Sequence, residues 1–220
     1  MRKLMILLLL ISGPIKAHPH ESGLVAVIAN FVELKDIPDA CEGESDGVND
    51  SDEKTVCISM DELYKATYTV REVIFGNVAV GSTLTFTIAD HYGSPAFARY
   101  KTALLFIQLN DGDPYLEKYQ GFQVHETALG KWATCDYPRG ADKEDGELES
   151  VAFANTVSFG GTGELNLQTV SQEFPSPVYE IRSNVVRCSK GWSVQRLVTY
   201  VQNGVLAARG ELLINAPKAN

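Results

Sequence analysis

The segment Thr83-Leu84-Thr85-Phe86-Thr87-Ile88 alternates polar and apolar residues without a break. A period of two places the threonines on one face of a strand and Leu84, Phe86 and Ile88 on the other, which no helix does. The residues before it, Tyr64 to Phe75, are rich in Tyr, Thr, Val and Ile, and Gly76 to Gly81 lies between the two runs. That combination predicts a hairpin with a longish loop. Thr102 to Leu109 is nearly continuously apolar, as expected of a strand buried on both faces, and Gly23 to Leu34 reads as the first strand. Gln120 to Thr127 is read as a further strand, and Asn110 to Pro114 as a turn. Ser59-Met60-Asp61-Glu62 has capping-box spacing, which predicts one helical turn. Near the C-terminus, Asn203-Gly204 separates Ser193–Gln202 from Val205–Ile214. Asn-Gly suits a type I′ turn, so a hairpin is expected, with Arg196 opposite Glu211 and Tyr200 opposite Ala207. The chain is therefore expected to be mainly β, with a C-terminal β-hairpin and long acidic loops.

The first 17 residues read as a secretory signal. Arg2 and Lys3 precede an unbroken apolar run from Leu4 to Ile11, Gly13-Pro14 ends it, and Ala17 offers a small residue for cleavage. The run is well short of the roughly 20 residues that a membrane-spanning helix needs. Cleavage there starts the mature chain at His18 and places it in a secreted or periplasmic setting. Cys41, Cys57, Cys135 and Cys188 are then expected to form disulfides. Of three connectivities, Cys41–Cys57 with Cys135–Cys188 is favoured, because the first closes an otherwise unsupported loop, worth about 3 kcal/mol in the loop-entropy account.

Charge narrows the partners. Lys and Arg number 19 against 28 Asp and Glu, a formal charge of −9. Such an excess argues against nucleic acid or an anionic membrane.

Three segments carry the principal family resemblance. They are Thr69-Val70-Arg71-Glu72-Val73-Ile74-Phe75-Gly76, Val80-Gly81-Ser82-Thr83-Leu84-Thr85-Phe86 and Lys101-Thr102-Ala103-Leu104-Leu105-Phe106-Ile107. Residues 66–107 thereby resemble the netrin-like or tissue-inhibitor-of-metalloproteinase-like superfamily. The resemblance implies a five-stranded oligonucleotide/oligosaccharide-binding (OB) barrel that uses its strand face and loops for ligands. It does not imply protease inhibition, because those inhibitors chelate zinc through an N-terminal cysteine where this chain is expected to begin with His18. With the signal at 1–17, the expected organisation is an OB-like antiparallel barrel domain at 18–135, which the resemblance implies, and a β-rich extension at 136–220 packed on the same domain.

Several motifs bear on chemistry. Gly76 to Thr83 approaches a phosphate loop, but Ser82 stands where the lysine belongs and two strands flank it. His125-Glu126 begins a zinc-protease motif that Leu129 breaks. The mature N-terminal His18 offers amine and imidazole for a copper brace, with His20, His91 and His125 as the other imidazoles, and it resembles secreted copper oxygenases and carriers in this. A frayed terminus is the plain alternative. Asp46, Asn49, Asp50 and Asp52 offer hard oxygens to calcium, although their spacing departs from the usual loop and suits a solvated charged loop. Asp90, His91, Tyr92, Arg99 and Tyr100 follow a well-marked strand, as a candidate binding loop or as the cover of a barrel end. With no catalytic motif in the sequence, the expected function is an exported, non-enzymatic domain binding a protein, peptide or glycan. A copper-binding protein or copper enzyme built on His18 is the alternative.

Overall fold

The computed structural model describes residues 23–38, 60–110, 113–135, 137–138, 141, 144, 146–161 and 167–211. The expectations for the signal, for Cys41–Cys57, for His18 and His20, and for Asp46, Asn49, Asp50 and Asp52 lie outside them. The protein is mainly β. Strands β1 (Gly23–Ile37), β2 (Glu62–Phe75), β3 (Thr83–Asp90), β4 (Thr102–Leu109) and β5 (Tyr115–Gln123) pair in the order β1-β2-β3-β5-β4, and β1 on β4 closes the ring. Every pairing is antiparallel except that of β3 with β5, which is parallel. The purely antiparallel expectation is corrected there.

The period of two explains the core. On β2 and β3 the even residues Tyr64, Ala66, Tyr68, Val70, Leu84, Phe86 and Ile88 point into the ring, while Thr83 and Thr85 are exposed. On β1 and β4 the interior receives Val25, Val27, Ala29, Ala103, Leu105 and Ile107. Their outward neighbours Leu24, Ala26, Ile28, Leu104 and Phe106 are buried too, in a second core. This is why both strands are apolar throughout.

What covers that outer face corrects the C-terminal reading. Residues Val194–Val201 form an α-helix, a π-helical turn follows over Gln202–Leu206, and Ala207–Arg209 returns to α-helix. There is no hairpin, and neither Arg196–Glu211 nor Tyr200–Ala207 is a strand pair. The Ser193 hydroxyl accepts the Arg196 N–H at 3.4 Å, capping the helix. Val194, Leu197, Val198 and Val201 recur at helical spacing and pack with Leu206 against Leu24, Ile28, Leu104 and Phe106. A strand would have sent Leu197 and Val198 to opposite faces. Gly210, at φ 73°, ends the helix; Gly204 sits within it.

Two small sheets complete the described chain. Strands β6 (His125–Glu126), β7 (Trp132–Cys135), β8 (Glu149–Ser150) and β12 (Lys190–Ser193) run in the order β6-β7-β12-β8, and β9 (Ser158–Gly161), β10 (Tyr179–Arg182) and β11 (Val185–Cys188) in the order β10-β11-β9. A short helix, Leu167–Glu173, precedes β10. Cys135–Cys188 is a disulfide tying β7 to β11, as the sequence pairing expects. The expected helical turn at 59–62 is not formed at its described end, where Glu62 opens β2; its carboxylate bonds the Tyr64 hydroxyl within the strand instead. Among the described residues no helix is long and apolar enough to cross a membrane.

Candidate functional site

The ring is weakest between β3 and β5. Their ladder is a single pairing, Thr87 with Tyr115, supported by the Thr87 N–H donating to the Pro114 carbonyl at 2.7 Å. Past it, Ile88, Ala89 and Asp90 stay with β2, opposite Tyr64, Leu63 and Glu62, while β5 follows β4. A cleft of about 520 Å³ opens there, between the end of β3 on one side and Leu116, Tyr119 and Phe122 of β5 on the other.

A turn of 3-10 helix, Ala96–Arg99, plugs its floor. Phe97 from this turn enters the core of the ring, and the buried Tyr68 hydroxyl donates to the Phe97 carbonyl at 3.1 Å. Burial pushes the Tyr68 phenol well above its ordinary pKa. Gly121 lies beneath Phe97, where an added Cβ would come within 3.1 Å of the ring, so the strand here must present backbone. The fit of Phe97 over Gly121 holds the plug in place.

The rim is aromatic and electrostatically pinned. Asp90 Oδ1 accepts the Tyr92 N–H at 2.9 Å, and Tyr92 is 80% exposed. On the facing strand β5 bulges, its pairing stepping from Leu105–Gly121 to Ile107–Leu116. Tyr119 takes φ 65° within that bulge and is 41% exposed. Asp61 links the two sides: it accepts from Lys118 Nζ at 2.9 Å and lies 3.7 Å from His91 Nδ1. The Asp61 hydrogen bond raises the Lys118 pKa, with burial opposing it. His91 Nδ1 donates to the Met60 carbonyl and the ring meets Tyr92 edge-on at 5.3 Å, while Lys118 lies over Tyr119 at 5.5 Å. Beyond Tyr92, Tyr119 and Phe122 a second hollow of about 720 Å³ continues to Tyr200 and Val205 of the C-terminal helical segment.

The sequence candidates divide accordingly. Asp90, Tyr92, Arg99 and Tyr100 line the cleft, whereas His91 turns back to Met60 and Asp61 at its edge. His125 is elsewhere, on β6, its ring edge-on to Phe153 at 5.9 Å. Burial lowers its pKa, and its Nε2 has no hydrogen-bond partner. The described part of the copper set, His91 and His125, stands on separate elements, the loop after β3 and strand β6, and among the described residues no three His, Cys, Asp or Glu side chains gather at metal-binding distance. Sequence reasoning missed Tyr119, Phe122, Tyr137 and Tyr179, which line the same cleft from β5, the chain after β7, and β10. The one local signal was Gly121, a glycine inside a strand, which often marks a bulge or a close approach.

No protein-family model matches the chain, and neither curated proteins nor solved structures provide a match.

Proposed function

We propose that the protein is an exported, non-enzymatic binding domain that seats an extended peptide segment in the cleft between β3 and β5. The observation that carries this reading is the diverging seam itself. Two strands leave their mutual ladder after Thr87–Tyr115, and the gap is walled by Tyr92, Tyr100, Tyr119, Phe122, Tyr137 and Tyr179. Strand edges give an incoming extended chain a hydrogen-bonding track, and aromatic walls offer large contact area at low rotamer cost. Asp90 and Arg99 contribute one charge of each sign, suited to orienting a peptide more than to attracting a polyanion. The Cys135–Cys188 disulfide supports an oxidising compartment. The ring order with its parallel β3–β5 contact supports the OB-like reading, and the netrin-like kinship of residues 66–107 is part of the same proposal.

Selection of a displayed random decapeptide library on the folded protein tests this. Enriched peptides should bind wild type and lose about tenfold or more in affinity on Tyr92→Ala/Tyr119→Ala, while the melting temperature stays unchanged. A library that yields no peptide sensitive to this double substitution would overturn the reading.

A further inference from the structure

We propose that a separate pocket, between Arg71, Lys101 and residues 155–158, binds a tetrahedral oxyanion such as sulfate or a phosphate or sulfate monoester. This stands apart from the peptide reading and shares no residue with the first cleft except Gln123.

The site begins with a strand irregularity. The β1–β2 register steps from Ala29–Val70 to Ile28–Glu72, leaving Arg71 without a partner on β1. Neighbouring side chains of a regular strand point to opposite faces, yet Arg71 and Glu72 both reach Trp132. The Arg71 guanidinium carbon lies 5.6 Å from the centre of the indole, and the indole N–H donates to Glu72 Oε2 at 2.9 Å. Glu72 is thus engaged at the ring's edge and holds the surface on which Arg71 rests. A guanidinium held over an aromatic ring keeps its in-plane N–H donors available to an anion.

Lys101 supplies a second cation to the same pocket, of about 330 Å³. Neither Arg71 nor Lys101 makes an ion pair with a described carboxylate, whereas Lys35, Lys65, Lys118, Arg182, Arg196 and Arg209 each do. In a chain with more acids than bases, two cations without ion pairs set against the one carboxylate of Glu126 leave this concavity with a net positive lining. Gln123, Asn155, Thr156 and Ser158 add neutral donors to the wall, and His125 adds a ring whose Nε2 has no partner. Glu126 is the one carboxylate in the lining, and it is exposed. A fork of guanidinium donors, an ammonium and several hydroxyl and amide donors match the four oxygens of a sulfate or phosphate group.

Titration of the intact protein with sodium sulfate and with sodium phosphate at low ionic strength tests the site, by calorimetry and by the NMR signals of the His125 ring and the Trp132 indole. Wild type should saturate with a Kd of about 1 mM or tighter and move both signals. Arg71→Gln and Lys101→Gln should each weaken binding about tenfold, and Lys131→Gln, exposed and outside the pocket, less than about twofold. Lys101→Gln keeps the test decisive should Arg71→Gln disturb the fold. Vesicles of phosphatidylcholine with phosphatidic acid separate the sources: binding lost with Lys101→Gln assigns a lipid headgroup, and binding of the free ions alone assigns a soluble ester. Absence of saturation, or equal weakening in all three variants, would overturn the site.

Discussion

Arg209 Nη1 stands 2.8 Å from Glu117 Oε2, joining the end of the C-terminal helical segment to β5 of the ring. The Glu117 side chain is only 5% exposed, and its other oxygen has no partner, so Arg209 is what permits a carboxylate there. A second Arg209 nitrogen donates to the Lys118 carbonyl at 3.3 Å. The pair fixes the helical segment directly behind the bulge that carries Tyr119. Arg209→Ala is therefore expected to destabilise the fold by about 2 kcal/mol, below the range for a fully buried pair because Arg209 is itself partly solvated. Adding Glu117→Gln to that variant should recover part of the loss. Chemical denaturation of the single and double variants measures both. Equal stability of wild type and Arg209→Ala would show that the pair contributes nothing.

Gly204 offers a test of sign for the C-terminal segment. Within a type I′ turn it would need positive φ, and alanine would strain the backbone. In the observed π-helical turn its φ is not in the left-handed region, and an added Cβ meets nothing within 4 Å. Gly204→Ala is thus expected to stabilise the protein by about 0.5–1 kcal/mol. A lowered urea midpoint would favour the turn.

The same segment shows where the sequence was legible and where it was not. Thr83 to Ile88 could be read at once, because one face of β3 meets the core and the other meets water, so burial repeats the strand period. Thr102 to Leu109 was readable as doubly buried, but not what buries its outer side. That cover is Val194, Leu197, Val198 and Val201, whose helical spacing competes with an Asn-Gly pair that is a strong local hairpin signal. Packing of an amphipathic face against β1 and β4 outweighs the local turn preference. The loop from Asp90 to Tyr100 was visible because it follows a clear strand. Its partners Tyr119, Tyr137 and Tyr179 were not, since only tertiary structure brings them to one cleft.

The Cys135–Cys188 bond spans a sequence separation of 53 and links β7, which belongs to one small sheet, to β11, which belongs to the other. Neither sheet has the wrap-around pairing of the ring, so the bond should matter most to them. Replacing both cysteines by serine is expected to cost about 4 kcal/mol on the loop-entropy account. Hydrogen exchange should locate the loss in β9 to β11 first, with β1 and β4 protected as before. Uniform loss of protection, ring included, would show that the two regions unfold as one unit.

His125 gives the protein a pH dependence whose sign follows from its surroundings. Its ring is held against Phe153, and burial lowers its pKa below the ordinary histidine value. The unfolded chain therefore binds a proton at a higher pH than the folded one does. Between the two pKa values the unfolded state carries more protons, and stability must rise with pH through that window. Lowering the pH from neutral toward the folded-state value should remove this contribution progressively, and below it the loss should level off. Replacing His125 by asparagine removes the titrating ring, so wild type should lose more stability than His125→Asn when denaturant midpoints at pH 7.5 and pH 5 are compared. Parallel pH profiles for wild type and His125→Asn in sulfate-free buffer would show that the ring is not held neutral by the fold.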